Sequence, residues 1–233
     1  MRPVAAVATS KAVAGGMVAI LITAGPTREY LDDVRFLSNG SSGRMGCALA
    51  AAALAGGHTV DLVLGPVEVA PPRGARVIAV TSALEMLAAA ERCFAACAVA
   101  IAAAAVADWR PAVRHAGKPA RKAERMQLEL VPNPDIVAGL AARKNGRVVV
   151  GFALESATAS LEQAVARGAA KLQQKHLDLV VCNRADAIGA AASAAVLLFA
   201  DGRRQDLPAQ DKSSLAATVV RAAVQLWQER RAS

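Results

Sequence analysis

Met17–Thr23 is an unbroken apolar run that stops at Gly25-Pro26, the pattern of a buried parallel strand feeding a loop. A long, largely polar segment of sixteen residues with little periodicity follows, Thr27 to Ser42. Gly43–Leu54 then reads as a helix with a face of small residues, ended by Gly56-Gly57. His58–Leu64 alternates like a strand, and Val77–Val80 is a short one. Ser82-Ala83-Leu84-Glu85 spells a capping box for an alanine-rich helix reaching about Ala96, and Ala98–Ala105 is a further buried strand. Met126–Val131 alternates. Asn133-Pro134-Asp135 predicts a helix start with Asn as N-cap and Pro in the first helical position. Val148–Phe152, Leu177–Cys182 and Ala195–Phe199 read as strands, Ser160–Gln174 as a helix, and Asp211–Arg230 as a closing helix with cations at its C-terminal end.

Strands and helices alternate from end to end, which predicts an α/β fold: a mainly parallel sheet with helices on both faces. Nothing repeats, and 233 residues with 55% hydrophobic side chains suffice for one well-buried core. Residues 1–16 read as a leader or an over-called start, and 17–233 as the domain. No apolar stretch approaches the roughly 20 residues of a membrane helix. The four cysteines show no zinc or CxxC spacing and read as buried free thiols in a reducing cytoplasm.

The net charge of +8 points to an anionic partner, either nucleic acid, lipid or a phosphorylated small molecule. Its distribution narrows the choice. Cations crowd into Asp108–Arg125, a stretch with only two acids that reads as a mobile basic flap or a solvated face. Aromatics are 3% of the chain, which disfavours base-stacking nucleic-acid modules.

In parallel sheets, ligands sit beyond the carboxyl ends of the strands. Four segments fall there: 24–46, 104–125, 132–136 and 152–156. The Gly/Ser-rich loop Ser38–Gly46 opens a helix, and its free amides and hydroxyls can hold a phosphate or simply make turns. It lacks GxGxxG, so a plain NAD fingerprint is disfavoured. Asp108 is a carboxylate at a strand exit, and Asn133–Ile136 is explained by capping alone. Lys171 and Lys175, four apart on a helix, share a face and can clamp a polyphosphate or be solvated. The three histidines have no acid or cysteine cluster near them in sequence, so no protein-built metal site is expected.

Taken together and in this order, ILITAGPTREYLDDVRFLSNGSSGRMG, AAVADWRP, LELVPNPDIV, GFALES and KHLDLVVCN resemble the phosphopantothenoylcysteine synthetase domain. That domain is the ligase half of the bacterial bifunctional coenzyme A biosynthesis flavoprotein. The resemblance runs from about Val18 to the C-terminal helix. It implies a single Rossmann-like three-layer domain, cytoplasmic and homodimeric, that joins 4′-phosphopantothenate to cysteine. CTP with Mg²⁺ is the co-substrate, an acyl-cytidylate the intermediate, and CMP and pyrophosphate the by-products. It implies Asn39 as the catalytic amide, and Arg35 as an arginine of the second step or of substrate across the dimer. Ala102, Ala103 and Ala104 correspond to the strand end that meets the nucleotide, and Ala105 and Asp108 to positions near the pantothenate amide and the nucleotide. Lys118 falls at the flap lysine, with Lys122 as the fallback because the Lys-x-Lys-Lys pattern here reads Lys118-Pro119-Ala120-Arg121-Lys122. Asn133, Pro134, Asp135 and Ile136 correspond to a helix start at the triphosphate, Phe152 to an aromatic near the base, and Lys171 and Lys175 to phosphate-binding lysines. The flavin-dependent decarboxylase half has no counterpart in the sequence. No FMN is therefore expected, and a separate decarboxylase is.

Two rivals belong to other classes. A NAD(P)-dependent oxidoreductase would need a glycine fingerprint and a Tyr-x-x-x-Lys pair, whereas Tyr30 is followed by Val34. A nucleic-acid-binding module would spread its cations along a recognition element rather than gather them in one segment.

Overall fold

A computed structural model describes residues 16–117, 126–155, 160–184 and 192–232. Lys118 and Lys122, like the proposed leader up to residue 15, lie outside them.

The apolar runs become a sheet. Strands β1 (Ala19–Ala24), β4 (Thr59–Leu64), β5 (Arg76–Ala79), β6 (Val99–Ala102), β9 (Val148–Glu155) and β10 (Leu179–Arg184) lie mutually parallel, and β11 (Ala192–Phe199) and β12 (Arg204–Asp211) continue antiparallel. The order across the eight strands is β12-β11-β10-β9-β6-β1-β4-β5. Helices α1 (Arg44–Ala55) and α5 (Lys212–Ala232) cover one face, packing Leu49, Ala50, Leu215 and Val219 on Ile20, Ile22, Ile101 and Val181. Helices α2 (Ala83–Phe94), α3 (Ile136–Ala141) and α4 (Leu161–Gln174) cover the other, with Met86, Leu140 and Leu172 against Leu21, Val149 and Val180. The expected mainly parallel three-layer α/β architecture is present. No helix among the described residues is long and apolar enough to cross a membrane.

All four cysteines are buried thiols, none in a disulfide. Burial pushes the thiols of Cys47 and Cys93 above their ordinary range and that of Cys97 up to about 12.

The structure corrects several local expectations. The aperiodic stretch Thr27–Ser42 contains a hairpin, β2 (Arg28–Tyr30) with β3 (Phe36–Ser38). Three-residue strands are too short to show a period. Of the alternating stretch Met126–Val131 only its end is strand: β8 (Leu130–Pro132) pairs with β7 (Trp109–Pro111). Asn133 is not an N-cap. Its amide donates to the Ala107 carbonyl (2.8 Å) and accepts from Arg110 (3.2 Å), so Asp135 caps α3 instead, accepting from the Ala138 N–H (3.0 Å). Pro134 thus precedes the cap. At α2, Ser82 caps as expected, but the Glu85 carboxylate accepts from Thr81 rather than from Ser82. That helix ends at Phe94, just short of the expected Ala96.

Candidate active site

The cleft is built by the way β1 and β6 continue to hold each other after they end. Gly25 accepts from the Ala105 N–H (2.9 Å), Pro26 bridges Ala105, and the fully buried Thr27 hydroxyl accepts from the Ala107 N–H (3.0 Å). These bonds draw the 103–107 backbone along the rim as a chain of small residues with no bulky side chain to bar a ligand. Glu29, also buried, accepts from the Ala83 N–H (2.9 Å) at the start of α2. The Thr27 and Glu29 of the GPTRE motif are therefore scaffold.

Across the rim, the chain returns from β3 through Asn39 to Gly43, whose φ of 71° is a left-handed geometry that glycine adopts without strain. Gly46 faces β1, and a Cβ there would overlap that of Ala24. This close approach seats the start of α1 against the strand end. No side chain caps α1, leaving its first amides and their partial positive charge at the cleft. Asn39 ties the two rims together, its Nδ2 donating to the Val106 carbonyl (3.0 Å).

The resulting cleft has a volume of about 540 Å³. It brings together Asn39, Ala103, Ala104, Ala105, Asp108, Phe152 and Lys171 of the expected residues, with the 40–46 loop. Ala102 ends β6 just short of the lining. Arg35, Asn133, Pro134, Asp135, Ile136 and Lys175 are not part of it. Ile136 is core, and Lys175 lies at the α4 C-cap, paired with Asp135 (2.6 Å). Burial pushes the Asp135 carboxyl up, but the Lys175 contact, the Ala138 N–H and the charge of Lys171 together outweigh it and hold the group below its usual range. Three residues that the sequence did not single out also line the cleft: Asn183, Ser193 and Lys212. Asn183 is buried near the end of β10, and its Oδ1 has no hydrogen-bond partner among the described residues. Its signal in the sequence was its place as the last residue of KHLDLVVCN, just after the apolar run.

Lys171 reaches the Phe152 carbonyl (2.5 Å). Burial, and then the charge of Lys175, push its ammonium below the ordinary lysine range. The negative charge of a bound polyanion would favour the ammonium and oppose both effects. Anion affinity is therefore expected to fall as pH rises, earlier than an ordinary lysine would give. The Lys171→Met variant should bind more weakly and lose that alkaline limb. Titration calorimetry between about pH 7 and pH 10 checks this, and equal pH dependence in the two proteins would remove Lys171 from the anion site.

No group of three or more His, Cys, Asp or Glu side chains that could hold a metal occurs among the described residues. Asp108 alone among the cleft-lining residues supplies a carboxylate.

A mainly parallel sheet, an uncapped helix start and an amide-and-lysine cleft over the strand ends define a protein of the Rossmann-like class, with a cleft whose chemistry suits anionic groups. More closely, the chain belongs to the DNA/pantothenate metabolism flavoprotein C-terminal domain family, which matches residues 16–226. It is 41% identical over 207 residues to the coenzyme A biosynthesis bifunctional protein CoaBC of Vibrio cholerae, covering 86% of this chain and 51% of that protein. It is 45% identical over 166 residues to a prokaryotic protein named cysteine/cysteine sulfinic acid decarboxylase, covering 70% of this chain and 45% of the other. The chain thus spans about half the length of the curated relatives it matches. The crystal structure of the C-terminal domain of a CoaBC superposes with a TM-score of 0.77 at 33% identity, covering 91% of this chain and 96% of that one. A mutant of Cab2 in complex with phosphopantothenate-cysteine shares the fold, with a TM-score of 0.74 at 17% identity, covering 93% and 89%.

Proposed function

We propose that this chain is a CTP-dependent phosphopantothenate–cysteine ligase. The observation that carries the reading is the convergence in one cleft of Asn39, the Ala103–Ala105 backbone, Asp108, Phe152 and Lys171, within a family whose relatives include CoaBC. In the first step a carboxylate oxygen of 4′-phosphopantothenate forms a bond to the α-phosphorus of CTP, and pyrophosphate leaves. In the second, the amine of cysteine attacks the acyl carbon, CMP departs with the bonding electrons, and the amine loses a proton.

The chain's own groups fit these demands. The uncapped start of α1 and Lys171 suit phosphate oxygens. The alanine rim admits a narrow ligand to backbone N–H and C=O groups. Asn39, with Nδ2 committed to Val106, keeps Oδ1 as an acceptor for the pantothenate amide or the incoming amine. Mg²⁺, arriving on the triphosphate, would neutralise phosphate charge, and Asp108, the carboxylate that lines the cleft, would meet it.

The same reading includes a homodimer. The β2–β3 and β7–β8 strand pairs and the chain beside them leave Val34, Phe36, Trp109, Val113 and Leu130 exposed, apolar side chains that a second copy could cover. It also leaves the preceding decarboxylation to another protein or segment.

The experiment is pyrophosphate release from purified protein with Mg²⁺, 4′-phosphopantothenate and cysteine. Release with CTP that requires phosphopantothenate is the expected result. Release with ATP alone would keep the ligase and overturn its nucleotide. No release with either nucleotide would overturn the ligase reading.

A further inference from the structure

Asn133 lies outside the cleft lining, and α3 does not need it as a cap, since Asp135 fills that place. Its polar groups are spent on one point of the chain. The β7–β8 ladder ends with Trp109 opposite Pro132, and Asn133 carries the pairing one residue further. Its backbone N–H donates to the Asp108 carbonyl (2.8 Å), and its Nδ2 donates to the Ala107 carbonyl (2.8 Å). Arg110 donates to its Oδ1 (3.2 Å) and to the Pro132 carbonyl (2.6 Å), which decides which end of the amide faces Ala107. The two carbonyls held in this way belong to the peptide groups on either side of the Asp108 Cα. An antiparallel ladder is made by backbone groups alone. The bond from the Asn133 side chain is therefore additional to the ladder, and it serves the peptide that leads into Asp108.

Asp108 is exposed and lines the cleft. Among the described residues no hydrogen bond or ion pair takes its carboxylate. Its charge still reaches Lys171, another residue of the lining, and favours the ammonium form there. An exposed side chain on a connecting segment usually stands on mobile backbone. Here the Thr27 hydroxyl accepts from the Ala107 N–H and Asn39 donates to the Val106 carbonyl, so the approach to Asp108 is held as well. The backbone is fixed and the carboxylate is open, which prepares it to meet a ligand with little further loss of freedom. As an acceptor in a cleft suited to anions, it fits the part of a ligand that carries an N–H, a hydroxyl or a phosphate-bound cation.

We infer that Asn133 is the positioning residue for Asp108, holding that carboxylate in the cleft from behind the lining and meeting no ligand itself. The inference rests on the ligase reading for the identity of the ligands.

Affinities for CTP with Mg²⁺ and for 4′-phosphopantothenate should be measured separately by titration calorimetry. Asp108→Asn identifies the ligand that the carboxylate meets. Asn133→Ala is expected to weaken that same ligand about tenfold and to leave the other within about twofold. The double variant should bind no more weakly than Asp108→Asn alone. Asn133→Ser, likewise neutral and without the amide, should show the same loss, so a folding defect in one variant leaves the other decisive. Thermal midpoints identify such a defect. Normal affinity in a folded Asn133 variant while Asp108→Asn binds weakly would overturn the inference and leave the ligase standing. Losses that multiply in the double variant would do the same, because Asn133 would then meet ligand itself, and so would an equal loss for both ligands, which would make Asn133 scaffold. Asp108→Asn binding both ligands as tightly as the wild type would overturn the role of Asp108 and the inference with it. A wild-type protein that binds neither ligand and releases no pyrophosphate would overturn the ligase reading as well.

Discussion

Replacing Asp178 by alanine should destabilise the domain by about 3 kcal/mol, a large share of the 5–15 kcal/mol typical of natural domains. Asp178 is buried at the end of the sheet opposite the cleft. One oxygen accepts from the Val149 N–H (2.7 Å), and the other takes Lys144 (2.8 Å) and Arg230 (2.6 Å). Both cations reach on to backbone carbonyls, Lys144 to His176 and Arg230 to Arg147. A single carboxylate thus fastens the end of α5 to the entry of β9. Its loss strands a buried N–H and two part-buried cations. Both cations are about a third exposed, so the cost lies at the low end for a broken buried pair. Urea denaturation is the check, with a lower midpoint and an unchanged slope. A change under about 1 kcal/mol would mean that water replaces the lost contacts at little cost. Turnover at low temperature should be unaffected, because none of these groups approaches the cleft.

Asn39→Ala has the opposite profile. The fold should survive, since the Asn39 side chain is exposed and only one good hydrogen bond is lost, that to Val106. Under the proposed reaction, product formation should fall by about two to three orders of magnitude, the usual cost of removing a well-placed polar group from a reacting centre. Pyrophosphate should still appear in a burst, and acyl-cytidylate should accumulate. Product at the normal rate would remove Asn39 from the chemistry, and a missing burst would move its role to the activation step.

The parts of this molecule that could be read from its residues are those in which local pattern and tertiary need coincide. Val18–Ile22 is apolar on both sides because the strand is covered on both faces, and Gly56-Gly57 ends α1 where its pattern stops. Reading failed where a distant partner decides. Asn133 and Asp135 are both good caps by type. The Ala107 carbonyl, 26 residues away, takes the first and leaves the second for α3. Strand β12 was missed because it is a sheet edge, RQDLPAQD, and a polar edge with a proline has neither alternation nor hydrophobic content.

The site divides in the same way. The loop 39–46 and the alanine rim are contiguous stretches whose composition already sets them apart. Asn183, Ser193 and Lys212 are single residues that reach the cleft only because β10 and β11 extend the sheet past β9 and α5 begins at its rim. Lys171 and Lys175 look equivalent by spacing. Yet one is buried over Phe152, and the other ends the helix on Asp135.

The four buried thiols bear on how this protein lives with its proposed substrate. Free cysteine and cystine exchange with any thiolate they can reach, forming mixed disulfides. Cys47, Cys93, Cys97 and Cys182 are each at most 8% exposed, and the first three are held in the unreactive thiol form. This resistance comes from packing, so it lasts only as long as the core stays closed. Cystine uptake should therefore track local opening of the sheet and helices, and variants with a loosened core should become cysteinylated before they visibly unfold.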